Sequence, residues 1–165
     1  MVKECKRLAK RFGINEKDAE VAGYLHDVSA IYPFNRRVEV AEKLEIEILD
    51  EERRLPLILH QKISKVMAER IWCVDNEHIL NAIGCHTTLR ENPSNLDLVL
   101  FVADKIKWDQ KGIPPYLYEV ERGLDSSLKK GAYEYINYLM ENKDKLKVIH
   151  PWLAKAYKEL GEKND

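Results

Sequence analysis

The sequence predicts an all-α fold, a single helical bundle of about eight helices in one domain spanning residues 1–165. Three observations carry this. Apolar residues recur at helical spacing in nearly every segment. Cap-forming residues and Gly or Pro punctuate those segments. No run shows the period-two alternation or hairpin dipeptides of a sheet. With 45% hydrophobic and 33% charged residues, the chain has the balance of a soluble globular domain able to bury one core.

Taken in order, Val2, Cys5, Leu8, Ala9 and Phe12 mark a first helix that Gly13 stops. Asn15 opens a second, with Asp18 in its third position as in a capping box. This helix carries Ala19, Ala22, Gly23 and Leu25 to the pair His26-Asp27, and Pro33 closes the region. Asn35 is expected to cap a short helix through Leu44, and the acidic stretch 45–56 reads as irregular. Leu57 to about Ile71 returns to helical spacing. Asp75 or Asn76 can cap the next helix, which ends near His86. After the turn "NPSN", "LDLVLFVADKIKW" is a central helix apolar on almost all sides. "KGIPP" is another turn, and helices follow over roughly 116–123, 126–145 and from Pro151 onward.

Bulk charge excludes some partners. A net charge of −1 provides no field to draw the molecule to a nucleic acid polymer. No stretch reaches the roughly 18 apolar residues of a membrane span, and the N-terminus lacks an apolar signal core. Cys5, Cys73 and Cys85 have no CxxC spacing, which points to reduced thiols and a cytoplasmic protein, not to disulfides or a thiolate zinc site.

The chemistry concentrates in "LHD" at 25–27, "LILHQ" at 57–61, "GCHTT" at 84–88 and "FVADKI" at 101–106. Asp104 is the most informative residue. Its helix is apolar all round, so a carboxylate buried there requires a cation, either a lysine or arginine or a metal ion. Taken singly, His60 and His86 are each accounted for as core histidines satisfied by one hydrogen bond. Taken with His26-Asp27 and Asp104, they make four helices that each deliver a nitrogen or carboxylate from an apolar segment, which is how bundles assemble metal sites. Histidine with carboxylate and no thiolate suits iron, manganese or zinc.

At these residues the chain resembles the HD-domain superfamily of metal-dependent phosphohydrolases. Within it the likeness is to the bacterial branch of symmetrical bis(5'-nucleosyl)-tetraphosphatase-like proteins. The branch pattern reads here as His26-Asp27, His60, His86 in "AIGCHTT" and Asp104 in "VADKI", within a motif-bearing core of about 5–110. The extension 111–165 carries helix but no motif. The resemblance implies one or two divalent or trivalent metal ions, iron favoured, with manganese, zinc or magnesium as other choices. It implies that His26, Asp27 and Asp104 hold a first ion and that Asp27 bridges to a second held by His60 and His86. Asp27 is then the catalytic residue, and metal-activated water cleaves a phosphoanhydride in a nucleotide such as a dinucleoside polyphosphate.

Three departures accompany the resemblance. The family pattern opens with a histidine on a helix before the HD pair, and no histidine precedes His26. The expectation is therefore either that the chain's natural start lies upstream or that the site is one ligand short. Ala30 stands where the branch usually has a lysine. "ADKIKWDQ" lacks the arginine that the branch places after its last ligand. The alternative that these departures leave open is a non-catalytic HD-fold module that binds a nucleotide or a partner. A third is a purely structural bundle in which Asp104 pairs with a basic side chain.

Lys62, Arg90 and Lys105 are candidate phosphate contacts, each also readable as a solvated charge. Thr87 and Thr88 can either bind substrate or cap a helix end. His78 reads as surface and His150 as a helix cap. Trp72, Trp108, Trp152 and the tyrosines at 116, 118, 133, 135 and 138 read as packing residues, with the 133–138 cluster compatible with a homodimer contact.

Overall fold

The computed structural model describes residues 1–107 and 111–162. Trp108, and with it the end of "ADKIKWDQ", lies outside the described residues. Among the described residues there are ten α-helices and no strand. They are α1 (Val2–Arg11), α2 (Glu16–Leu25), α3 (Arg37–Lys43), α4 (Asp50–Arg54), α5 (His60–Arg70), α6 (Glu77–Cys85), α7 (Asn95–Ile106), α8 (Leu117–Ser126), α9 (Leu128–Glu141) and α10 (Pro151–Glu162). Short 3-10 turns at Val28–Ile31, Phe34–Arg36 and Pro56–Leu59 supply the approaches to α3 and α5.

The helix ends follow local chemistry. Gly13 takes φ +69 after α1, a left-handed conformation that costs glycine nothing. The side chains of Asn15, Asn76 and Ser94 accept hydrogen bonds from the first backbone amides of α2, α6 and α7. Ser94 and Asp97 close a full capping box on α7.

The core forms around α7. Leu98, Val99, Leu100, Phe101 and Ala103 are all sealed from solvent, so this helix is buried on every side as its composition predicts. A smaller cluster of Ala41, Leu59, Ile63 and Met67 fills the space beneath α3. α8 and α9 form a close antiparallel pair. A Cβ on Gly123 would lie 3.0 Å from the Gly131 backbone, so the small residues set the approach.

Two sequence expectations are corrected. Asn35 does not cap α3, because it sits inside the 3-10 turn Phe34–Arg36 that runs directly into that helix. The stretch 45–56 is not wholly irregular, since it holds α4. Acids in the first turn of α4 and arginines in its last complement the helix dipole in a segment too short to show periodicity. Glu52 of α4 is fully buried, and its carboxylate accepts from Leu49 N, from Lys62 Nζ at 2.8 Å and from His150 Nε2 at 3.2 Å. His150 does cap α10, its Nδ1 accepting from Trp152 N. The same ring is therefore both a cap and one arm of a buried cluster joining α4, α5 and α10. His78 is exposed, as expected.

Candidate metal centre

His26 and Asp27 directly follow α2, His60 begins α5, His86 follows α6 and Asp104 lies near the end of α7. The packing of these four helices brings all five side chains to one cleft of about 550 Å³. One donor atom each from Asp27, His60 and His86 lies within 4.8 Å of the others. His60 Nε2 is 3.4 Å from Asp27 Oδ1. Beside this group, His26 Nε2 stands 3.7 Å from Asp104 Oδ1, and the His26 and His86 rings meet edge to face at 5.0 Å.

The three imidazoles share one local arrangement. Each donates its Nδ1–H to the carbonyl three residues earlier: His26 to Gly23 O at 2.9 Å, His60 to Leu57 O at 2.6 Å and His86 to Ile83 O at 2.8 Å. A carbonyl can only accept, so Nδ1 carries a proton, and the Nε2 of such a ring presents a lone pair whenever the ring is neutral. His60 Nε2 and His86 Nε2 are nevertheless only 2.9 Å apart. Protonation of either ring would relieve the contact, but burial lowers the pKa of both, and their proximity lowers that of His86 further. The Thr87 hydroxyl can donate to His60 Nε2 at 3.1 Å. Two facing lone pairs with a carboxylate alongside form a donor set for a cation, and imidazole with carboxylate suits a transition metal.

Asp104 is less enclosed than its helix predicts, with 30% of its side chain exposed to the cleft. Lys105 Nζ contacts its Oδ2 at 2.7 Å. Burial would raise this carboxyl, but Lys105 and the neighbouring histidines outweigh burial and hold it down at about 2. Asp104 is thus ionised, with one oxygen on a lysine and the other turned toward His26. Lys105 itself is nearly buried and also donates to His86 O at 3.3 Å.

Residues that the sequence reading passed over hold this arrangement in place. Ser29 Oγ donates to His60 O at 2.9 Å, and Ser64 Oγ accepts from Ser29 N at 3.2 Å, which ties the His26-Asp27 loop to α5. Gln61, fully buried, accepts from Thr87 N at 3.0 Å through Oε1 and donates to Thr88 Oγ1 at 3.1 Å. One side chain thereby links the His86 turn to the helix bearing His60. Arg37 donates to Leu57 O at 2.9 Å and braces the turn before His60. Tyr116 and Tyr135 line the cleft from beyond the motif-bearing core. Only polarity inside an otherwise apolar segment could have signalled Gln61 or Ser64.

The candidate substrate contacts divide. Thr87 and Lys105 line the cleft. Thr88 is buried, and its hydroxyl is taken up by the Gln61 side chain instead of facing the cleft. Lys62 is not brought to the cleft, because two residues past His60 its amine turns to Glu52 and Glu47 O. Arg90 is likewise drawn away, to the buried carboxylate of Asp97 at 2.8 Å.

Fold and donor set define a class, an all-helical bundle with a histidine–carboxylate cluster in an open cleft. Comparison with known proteins gives the family. The HD domain model matches residues 1–109, and the chain belongs to that family. It is 46% identical over 147 residues to an uncharacterized protein in the pepC 5' region of Lactococcus lactis subsp. cremoris, across 89% of this chain and 74% of that one. It is 30% identical over 135 residues to the symmetrical bis(5'-nucleosyl)-tetraphosphatase of Bacillus subtilis (strain 168), across 81% of this chain and 70% of that one. The crystal structure of a predicted HD superfamily hydrolase involved in NAD metabolism from Clostridium acetobutylicum superposes with a TM-score of 0.88 at 26% identity, covering 98% of this chain and 85% of that one. The all-α HD fold is thus shown, and the relatives support a hydrolase in general. No described helix is long and apolar enough to cross a membrane.

Proposed function

We propose that this chain is a metal-dependent phosphohydrolase acting on a nucleotide, and that a dinucleoside polyphosphate is its substrate. The observation that carries the reading is the 2.9 Å approach of two imidazole nitrogens whose Nδ1 positions are already committed to carbonyls. On this reading His26, Asp27 and Asp104 would hold one ion, and His60 and His86, with Asp27, would hold another. Iron is the favoured ion. A bound ion supplies a hydroxide nucleophile near neutral pH and neutralises phosphate oxygens. Asp27, half exposed at the cleft, orients the attacking water. Lys105 and the Thr87 hydroxyl offer donors to the phosphate that is attacked. The two named tetraphosphatase and hydrolase relatives support the substrate class. The free cysteines support a cytoplasmic setting.

A second reading is favoured by one contact. The 2.7 Å pair between Lys105 and Asp104 satisfies an oxygen that an ion would otherwise take. On that reading the cleft binds a nucleotide without turning it over.

Hydrolysis of diadenosine tetraphosphate by purified protein supplied with iron(II) or manganese(II) separates the two. The phosphohydrolase reading expects turnover that EDTA abolishes and that Asp27→Ala reduces to background. Nucleotide binding with no turnover under any metal supports the second reading instead.

A further inference from the structure

We infer that Tyr135 is a substrate-contacting residue of the cleft, its hydroxyl donating a hydrogen bond to a phosphate oxygen of the bound nucleotide. This rests on the phosphohydrolase reading of the cleft and assigns a role to helices outside the HD motif. Tyr135 stands on α9, beyond residue 109 where the HD-domain match ends.

The ring of Tyr135 does pack, as its helical spacing predicts. It meets Phe101 edge to face at 5.5 Å and Tyr116 at 4.7 Å. Two such contacts fix the plane of the ring and so the direction of its hydroxyl. The polar end is not explained by packing. It lines the same cleft as His26, Asp27 and Asp104, and its hydroxyl is not sealed in the core but opens to that cleft. A hydroxyl held at a cleft wall by a fixed ring is placed to donate to what enters the cleft.

Its surroundings select the ligand. The Lys105 ammonium lies 5.5 Å from the Tyr135 ring centre and spends two of its three N–H groups on Asp104 Oδ2 and His86 O. A donor hydroxyl and a cation with a spare donor therefore stand together beside the histidine–carboxylate cluster. A group with several equivalent anionic oxygens satisfies both at once, and a phosphate is such a group. Stacking of a nucleobase on this ring is disfavoured, because Lys105 already covers a face of it.

Tyr135→Phe keeps every ring contact and removes only the hydroxyl. Manganese-loaded wild type and variant are compared by calorimetric titration with ADP and with inorganic tripolyphosphate, alongside Tm and the kcat and KM for diadenosine tetraphosphate. The expected result is that both probes bind the variant about tenfold more weakly, with KM raised and Tm unmoved. Equal affinities for both proteins overturn the inference. Weaker ADP binding with tripolyphosphate unaffected also overturns it, since the hydroxyl then serves the nucleoside. A fall in Tm accompanying the weaker binding assigns Tyr135 to packing and overturns it as well. If wild type binds both probes but hydrolyses nothing, the proposed function fails while the titrations still decide the role of Tyr135. If wild type binds neither probe, both fall.

Discussion

His60 Nε2 and His86 Nε2 face each other at 2.9 Å while both rings donate Nδ1–H to backbone carbonyls. Neither nitrogen can donate to the other without a second proton, which burial opposes. Under the proposed function this pair is a ligand set shaped before any ion arrives. His60→Ala should therefore abolish stoichiometric metal binding, by more than the 10–100-fold that loss of an outer-shell partner costs. Removing the ring also relieves the close approach of the two Nε2 atoms in the metal-free protein, so the metal-free Tm should change little. Metal analysis after dialysis, with a thermal melt in EDTA, checks both halves.

The Lys105–Asp104 pair gives a prediction of opposite sign for two ligands. Lys105→Met removes the ammonium while keeping most of the side-chain volume. Metal affinity should hold or rise, because Asp104 Oδ2 is released. Nucleotide affinity should fall about tenfold or more with the loss of a charged donor. Titrations with manganese(II) and with ADP read the two separately, and a parallel fall in both contradicts this division of labour.

Gln61 couples two of the histidine-bearing elements. Gln61→Ala strands Thr87 N and the Thr88 hydroxyl in a buried site, which should cost about 1–3 kcal/mol and lower Tm. Because the same turn carries His86, metal affinity should drop by about 10–100-fold. Denaturant melts and metal titration measure the two effects.

The buried cluster of Glu52, His150 and Lys62 sets a pH dependence remote from the cleft. Burial would raise the Glu52 carboxyl, but the bonds from His150, Lys62 and Leu49 N outweigh it and hold the carboxyl below its usual range. Its folded pKa is lower than its unfolded one, so the unfolded chain binds the extra proton. Its contribution is present at neutral pH and is lost as pH falls through the folded value. Glu52→Gln should cost about 3 kcal/mol at pH 7 and flatten the fall in stability on acidification, as read from urea melts at stepped pH.

The residues that were legible in the sequence were those whose signals are local. The apolar girdle of α7 announced a buried helix, and Asn15, Asn76 and Ser94 announced their helix starts. The histidines and aspartates stood out as polar residues in apolar runs, and the structure brings them to one cleft. The misreadings have physical causes. α4 spans five residues, fewer than two turns, so no period could appear, and Glu52 finds His150 98 positions away. Lys62 could have been set aside from spacing alone, because residues two apart on a helix point to opposite sides. Gln61, Ser29 and Ser64 act only through partners about 30 positions distant, and such pairings appear only once the helices are packed.

The central claim is that side chains from four helices converge on a cation. Anomalous diffraction from crystals loaded with manganese(II), recorded at the manganese edge, tests it most directly. A strong peak in contact with His60 Nε2, His86 Nε2 and Asp27 is expected. No peak in the cleft, with Lys105 still on Asp104 and the two imidazole nitrogens moved apart, would contradict it.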